Sequence, residues 1–215
     1  TDFITDTVLS YHEPYASSTC EIVSELVQYI DGEGTILKQE TEAMLAGIVL
    51  DTKNFYFKTG FRTFEAAAYL KKAGADPIAV KKLFQSDHES YIRRVEMITG
   101  AELYKGRIAI SVCEGVSFNN AKAVMAQAAD ELLGINDVIA SFVMYEYDGG
   151  VSFSARSMGL MNVQVVMEAL GGGGHMTMAG AQLKEIGMEA ARQKLLQVID
   201  QYFEQRPKEK EKQRT

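Results

Sequence analysis

Residues 138–157 read VIASFVMYEYDGGVSFSARS, two β-rich runs joined by Asp148-Gly149-Gly150. Asp-Gly-Gly between such runs is a strong hairpin signal, because glycine adopts the positive φ that tight hairpin turns demand. The strands it joins, Val138–Tyr147 and Val151–Ser157, decide the reading of the second half. Upstream, Arg107–Cys113 alternates like a strand, and Asn119–Leu133 is helical in period and stops at Gly134. Downstream, a helix is capped by Asn162 and closed by Gly171, Thr177–Leu183 reads as a strand, and Met188–Phe203 as a last helix. This β-α-β-β-α-β-α order predicts a mostly antiparallel sheet with helices packed on it.

The first half is helical in pattern. Over residues 16–31, Ser18 and Glu21 have capping-box spacing, and Ile22, Val23, Leu26, Val27 and Ile30 form one apolar stripe that ends at Asp31-Gly32. A helical stretch at 38–46 is expected to give way to a short apolar run, Gly47–Leu50, with Asp51 at its end. Ligands gather beyond the carboxyl ends of strands in open α/β sheets, so Asp51 is expected to face a site. Phe61–Lys72 reads as another helix, and 78–99, with Asp87-His88-Glu89, as helical and connecting. The expected organisation is α/β in two lobes: 1–85, a connecting helix or linker over 86–104, a smaller mixed-sheet domain over 105–206, and a disordered tail over 207–215.

Composition fits an ordinary globular protein, with 47% hydrophobic and 24% charged residues. The net charge of −7 argues against a sequence-blind grip on long nucleic acid, which needs many Lys and Arg contacts to phosphate. It leaves room for a small phosphate ligand in one local pocket. No apolar run approaches the roughly 20 residues of a membrane span, so no membrane contact by this chain is expected. The opening Thr1-Asp2-Phe3, without a methionine, is expected to mark a piece of something longer. Cys20 and Cys113 sit among apolar neighbours and are expected to be reduced, buried thiols.

Gly171-Gly172-Gly173-Gly174-His175 exceeds the single glycine that a helix C-terminus needs. A cluster of this kind marks backbone that must come close to something, and its N–H groups can converge on an anion. A plain turn with a surface histidine is the simpler alternative. Arg156 shifts the balance, because alternation puts Ser152, Ser154 and Arg156 on one strand face and Val151, Phe153 and Ala155 on the other. Guanidinium is the preferred bidentate partner of phosphate. Ser154, Arg156, Asn162, the glycine loop and His175 therefore read jointly as a pocket for a phosphate or nucleotide.

These segments closely resemble a known motif block. Ser154-Ala155-Arg156-Ser157, Asn162-Val163-Gln164 and Gly171-Gly172-Gly173-Gly174-His175 are similar to the DHH-associated C-terminal domain of phosphoesterases related to RecJ and the nanoRNases. Glu13-Pro14-Tyr15-Ala16-Ser17-Ser18-Thr19 resembles the segment after the family's Asp-His-His motif, and Gly47–Phe55 resembles its fourth catalytic motif. In texture the chain is most similar to cyclic di-AMP phosphodiesterases of the GdpP type, and the resemblance spans nearly all of 1–205.

The resemblance implies a two-metal centre, usually Mn²⁺, with Asp51 as one metal ligand and catalytic residue. It implies that Ser154, Arg156, Asn162, Gly172, Gly173, Gly174 and His175 bind substrate, a cyclic dinucleotide or a short linear one. It further implies a homodimer and a membrane-anchored parent with this module on the cytoplasmic side. The Asp-His-His triplet does not occur in the sequence, and Asp87-His88 lacks the second His. The chain alone is therefore expected to be inactive as a hydrolase. Two alternatives stay open: a nucleotide-binding module without catalysis, and a nanoRNase-like phosphodiesterase of short RNA. Met158, Met161, Met167, Met176 and Met178 surround the motif block; methionines more often fill cores, and an apolar wall for an adenine ring is the second reading of them. His12 beside Glu13 reads as a loop residue.

Overall fold

The computed structural model describes residues 7–8, 10–30, 36–113, 120–147 and 149–212, with side chains described through residue 204. Asp31-Gly32, Asn119 and Asp148 of the sequence reading lie outside the described residues. The chain divides into two compact units, Thr1–Gln85 and Ser86–Thr215.

The first unit contains α1 (Thr19–Ile30), α2 (Lys38–Asp51), α3 (Phe61–Lys72) and α4 (Pro77–Leu83). Ser18 caps α1, its Oγ accepting from Glu21 N at 3.1 Å. The expected short strand at Gly47–Leu50 does not form, and α2 continues through Asp51. Its buried residues explain this: Thr41, Leu45, Ile48 and the following Thr52 recur at helical spacing and face a core with Ala66, Leu70 and Val80. Gly47 lets α1 approach closely, since a Cβ there would meet Cys20 Sγ at 2.3 Å. After α2, Lys53, Asn54 and Phe55 take positive φ in succession, in a turn where Thr52 Oγ1 accepts from Phe55 N at 2.9 Å.

The second unit starts with α5 (His88–Thr99), capped by Asp87, whose carboxylate accepts from Ser90 N at 2.9 Å and Ser90 Oγ at 2.7 Å. These bonds hold the Asp87 carboxyl below its ordinary range. The expected connection at 86–104 thus includes α5 and β1, and Met97 of α5 is buried in this unit's core. There follow β1 (Glu102–Tyr104), β2 (Ile108–Cys113), α6 (Ala121–Leu132), β3 (Ala140–Tyr147), β4 (Gly150–Ser157), α7 (Val163–Ala169), β5 (Gly173–His175), β6 (Met178–Lys184) and α8 (Met188–Lys212). α8 passes Phe203 and Pro207, where the reading stopped it. The Lys-Glu alternation at 208–212 consists of good helix formers, and their charge had suggested disorder instead.

The six strands lie in the order β1-β2-β3-β4-β6-β5, with β2 and β3 parallel and the other neighbours antiparallel. One face carries Phe142, Met144, Val151, Phe153 and Ala155 against α7 and α8. The other carries Ala109, Val143 and Tyr145 against α5 and α6. Two buried serines tie strands to helix ends: Ser111 Oγ donates to Met97 O and Ser141 Oγ to Ala129 O, each at 2.5 Å. Both carbonyls belong to last turns, where helical partners run out.

Candidate functional site

Register places the motif residues in rows across β4, β6 and β5. Arg156 pairs with Met178 and Met178 with His175, while Ser154 pairs with Gly180 and Gly180 with Gly173. Directly opposed residues point to the same face of a sheet, so Arg156, Met178 and His175 form one row and Ser154, Gly180 and Gly173 the next. Val151, Phe153 and Ala155 fill the opposite face, as alternation predicts. Two glycines in the second row leave a stretch of bare backbone beside Arg156 and His175.

Arg156 is held in place. Its side chain is 13% exposed, and Nε lies 3.3 Å from Asp130 Oδ1 of α6. That contact is a charge pairing without hydrogen-bond alignment, since Nε makes no hydrogen bond. Nη1 donates to Ser154 Oγ at 3.2 Å and to Ala155 O at 3.0 Å. Among the described residues Nη2 has no acceptor in the protein, which leaves one edge of the planar fork available to an anion. Asp130 offsets the cost of burying the guanidinium and fixes its direction. The sequence reading missed Asp130, because nothing in a helical stretch marks which carboxylate will meet a strand 26 positions downstream.

The glycines divide into two kinds. A Cβ on Gly172 would meet Gly180 O at 2.1 Å, and one on Gly174 would meet Ala179 Cα at 2.5 Å. These two positions are glycine because β6 passes against them, and Gly180 is glycine because a Cβ there would meet Phe153 O at 2.9 Å. A Cβ on Gly173 would meet nothing within 4 Å, so its bareness serves no packing need. His175 is exposed on the edge strand β5.

A cavity of about 610 Å³ opens between α6 and this part of the sheet. Ser152, Ser154, Arg156, Gly171 and Gly172 line it, together with Lys122, Gly180, Gln182 and Lys184, which nothing in the sequence singles out. Gly173, Gly174, His175 and Asn162 are outside its lining. Asn162 caps α7, its Oδ1 accepting from Gln164 N at 3.1 Å, and its own N donates to Tyr202 Oη at 2.9 Å. The methionines split as well: Met161 and Met167 are fully buried in the core, the commoner place for methionine, and take no part in a wall, while Met158, Met176 and Met178 are exposed.

In the first unit Asp51 is exposed at the C-terminal end of α2. Among the described residues no three His, Cys, Asp or Glu side chains gather as a metal site. Asp51 alone does not fit a two-metal centre, and no chemical step follows from it here. Arg62 instead forms a hub that sequence reading missed. It donates from Nη1 to Glu13 Oε2 at 3.0 Å, from Nε to Glu25 Oε1 at 2.7 Å, and from Nη2 to Tyr11 Oη at 3.1 Å. Glu25 and Glu13 push the guanidinium pKa upward, and Arg62 holds the Glu13 carboxyl below its usual range. Glu21 is buried and accepts from Ser17 N at 3.2 Å, Ser17 Oγ at 2.5 Å and Thr63 Oγ1 at 2.7 Å. Together these bonds fasten the segment 11–19 to α1 and α3. Both cysteines are free thiols whose pKa burial raises, Cys20 half-buried and Cys113 buried.

A DHHA1 domain family model matches residues 105–205. The chain is 47% identical over 205 residues to the cyclic-di-AMP phosphodiesterase GdpP of Bacillus subtilis, covering 94% of the chain and 31% of that protein. It is 43% identical over 204 residues to the cyclic-di-AMP phosphodiesterase PdeA of Listeria monocytogenes, again covering 94% and 31%. The chain thus spans about a third of the length of these relatives. A solved exopolyphosphatase-related protein from Bacteroides fragilis shares the fold, with a TM-score of 0.81 at 22% identity, covering 91% of this chain and 59% of that one. No helix among the described residues is long and apolar enough to cross a membrane.

Proposed function

We propose, from the match of residues 105–205 to the DHHA1 domain family model, that the second unit is the nucleotide-recognition part of a phosphodiesterase that hydrolyses cyclic di-AMP to the linear dinucleotide. The observation that carries this reading is the preset Arg156 fork beside the open backbone at Gly173, which pairs with Gly180. A fixed guanidinium edge suits a phosphodiester oxygen, and backbone without Cβ atoms admits a flat or anionic group at close range. Ser154 orients the guanidinium, and His175 approaches the ligand from the edge strand. Relatives named as cyclic-di-AMP phosphodiesterases support the substrate.

DHH phosphoesterases are metal-dependent, and the expectation of manganese rests on the family resemblance, with Asp51 as one ligand in the intact parent. A homodimeric, membrane-anchored parent with this module on the cytoplasmic side rests on the same ground. The test is calorimetric titration of cyclic di-AMP and its linear product into this chain without metal. Saturable binding is the expected result, and a flat titration with both ligands would contradict the reading.

A further inference from the structure

The cavity continues well past Arg156, and its far part carries charge that one phosphate has no use for. Lys122, Arg156 and Lys184 all line it, and no carboxylate is among the described lining residues, in a chain of net charge −7. Lys122 and Lys184 are exposed, and neither has an ion-pair partner among the described residues. Local concentration of positive charge in a concave surface attracts anions even when the whole molecule is acidic.

The fold sets the spacing. Asp130 touches Arg156, and Lys122 lies eight residues earlier on the same helix, or roughly 12 Å along its axis at 1.5 Å per residue. On the sheet, Met178 pairs with Arg156 and Lys184 lies six residues further along β6, roughly 20 Å at 3.3 Å per residue. Ser152 and Gln182, paired with each other, supply polar side chains between these ends. These are backbone separations, and extended lysine and arginine side chains shorten them toward the spacing of neighbouring phosphates in one dinucleotide.

We propose that Lys122 and Lys184 form a second anion subsite in the same cavity, so that it takes ligands with two separated phosphates lengthwise and selects dinucleotides over mononucleotides. The proposal rests on the reading of Arg156 as the first phosphate anchor.

The test compares AMP with the linear adenylyl dinucleotide bearing a 5′-phosphate, titrated into the wild-type chain, the double variant Lys122→Gln/Lys184→Gln, and Arg156→Ala. Both lysines are exposed, so the double variant keeps the fold. It is expected to bind the dinucleotide about tenfold or more weakly, the loss of roughly one charge-assisted contact, and AMP within twofold of wild type. Arg156→Ala is expected to weaken both ligands. Unchanged dinucleotide binding by the double variant, or an equal loss for AMP, would overturn the second subsite. If Arg156→Ala binds both ligands as wild type does, the first anchor fails, and the lysine proposal falls with it.

Discussion

Arg156 and His175 stand on the same face of the sheet, two strands apart, both in register with Met178. They are 19 positions apart in sequence, and two strand spacings put them about 10 Å apart across β6. That row turns a strand arginine and a loop histidine into two sides of one surface. Its glycine neighbours make the first prediction.

Gly172 and Gly173 are adjacent in the motif but differ in what surrounds them. Gly172→Ala drives a methyl into the backbone of β6 and is expected to cost about 1–3 kcal/mol, seen as a fall of several degrees in Tm. Gly173→Ala meets open space, so stability is expected to stay within about 0.5 kcal/mol while cyclic di-AMP affinity falls. Thermal melts and titrations of the two variants separate these effects, and a stability loss at Gly173 equal to that at Gly172 would refute the distinction.

The close approach of Gly47 to Cys20 locks α2 against α1. Gly47→Ala is expected to destabilise the first unit by about 1–3 kcal/mol, because the methyl overlaps Sγ. Cys20→Ala makes room, so the double variant should recover much of the loss, a coupling that a double-mutant cycle reads directly. Additive losses would show that the two residues do not share the space.

Asp200 on α8 accepts from Tyr104 Oη and pairs with Lys105 Nζ, each at 2.8 Å. Lys105 first, then Tyr104, hold its carboxyl below the ordinary range. A depressed carboxyl contributes stability in full above its unfolded pKa, near 3.9, and loses it as pH falls through the lower folded value. The pair is part-exposed, so the contribution is at most about 1 kcal/mol. Asp200→Asn is expected to be less stable than wild type at neutral pH, with the gap closing in acid. A gap that widens as pH falls would contradict the assignment.

A single carboxylate at Asp51 cannot hold two metal ions, so the chain with added Mn²⁺ is expected to leave cyclic di-AMP intact over hours. Product detected by chromatography above a no-protein blank would show that other residues of this chain complete a centre.

The second unit was legible because its signals are local. The Asp-Gly-Gly hairpin, the alternation in β4 and the Asn162 cap each depend on neighbours in sequence, and the described structure contains the paired strands and the cap. Gly47–Asp51 misled because a short apolar run looks the same as strand or buried helix; only the longer spacing Thr41–Leu45–Ile48–Thr52 distinguishes them. The three-residue strand β5 lay beyond reading, since its residues are glycines and a histidine held by pairing to β6 rather than by propensity. Asp130, Lys122 and Lys184 were missed for another reason: a charged residue on a helix or at a strand end shows its partner only once the layers are stacked. Arg62 joins Tyr11, Glu13 and Glu25 across up to 51 positions, a distance at which sequence carries no pairing signal without relatives to compare.

The central claim is that Arg156 anchors a nucleotide phosphate while His175 flanks it. Its most direct measurement is the calorimetric affinity of the chain for cyclic di-AMP, without metal, for wild type, Arg156→Ala and His175→Ala. The account predicts saturable binding by wild type, a loss of about 1–3 kcal/mol in Arg156→Ala, and a smaller loss in His175→Ala. Wild-type affinity retained in both variants would contradict it and move the ligand away from this face of the sheet.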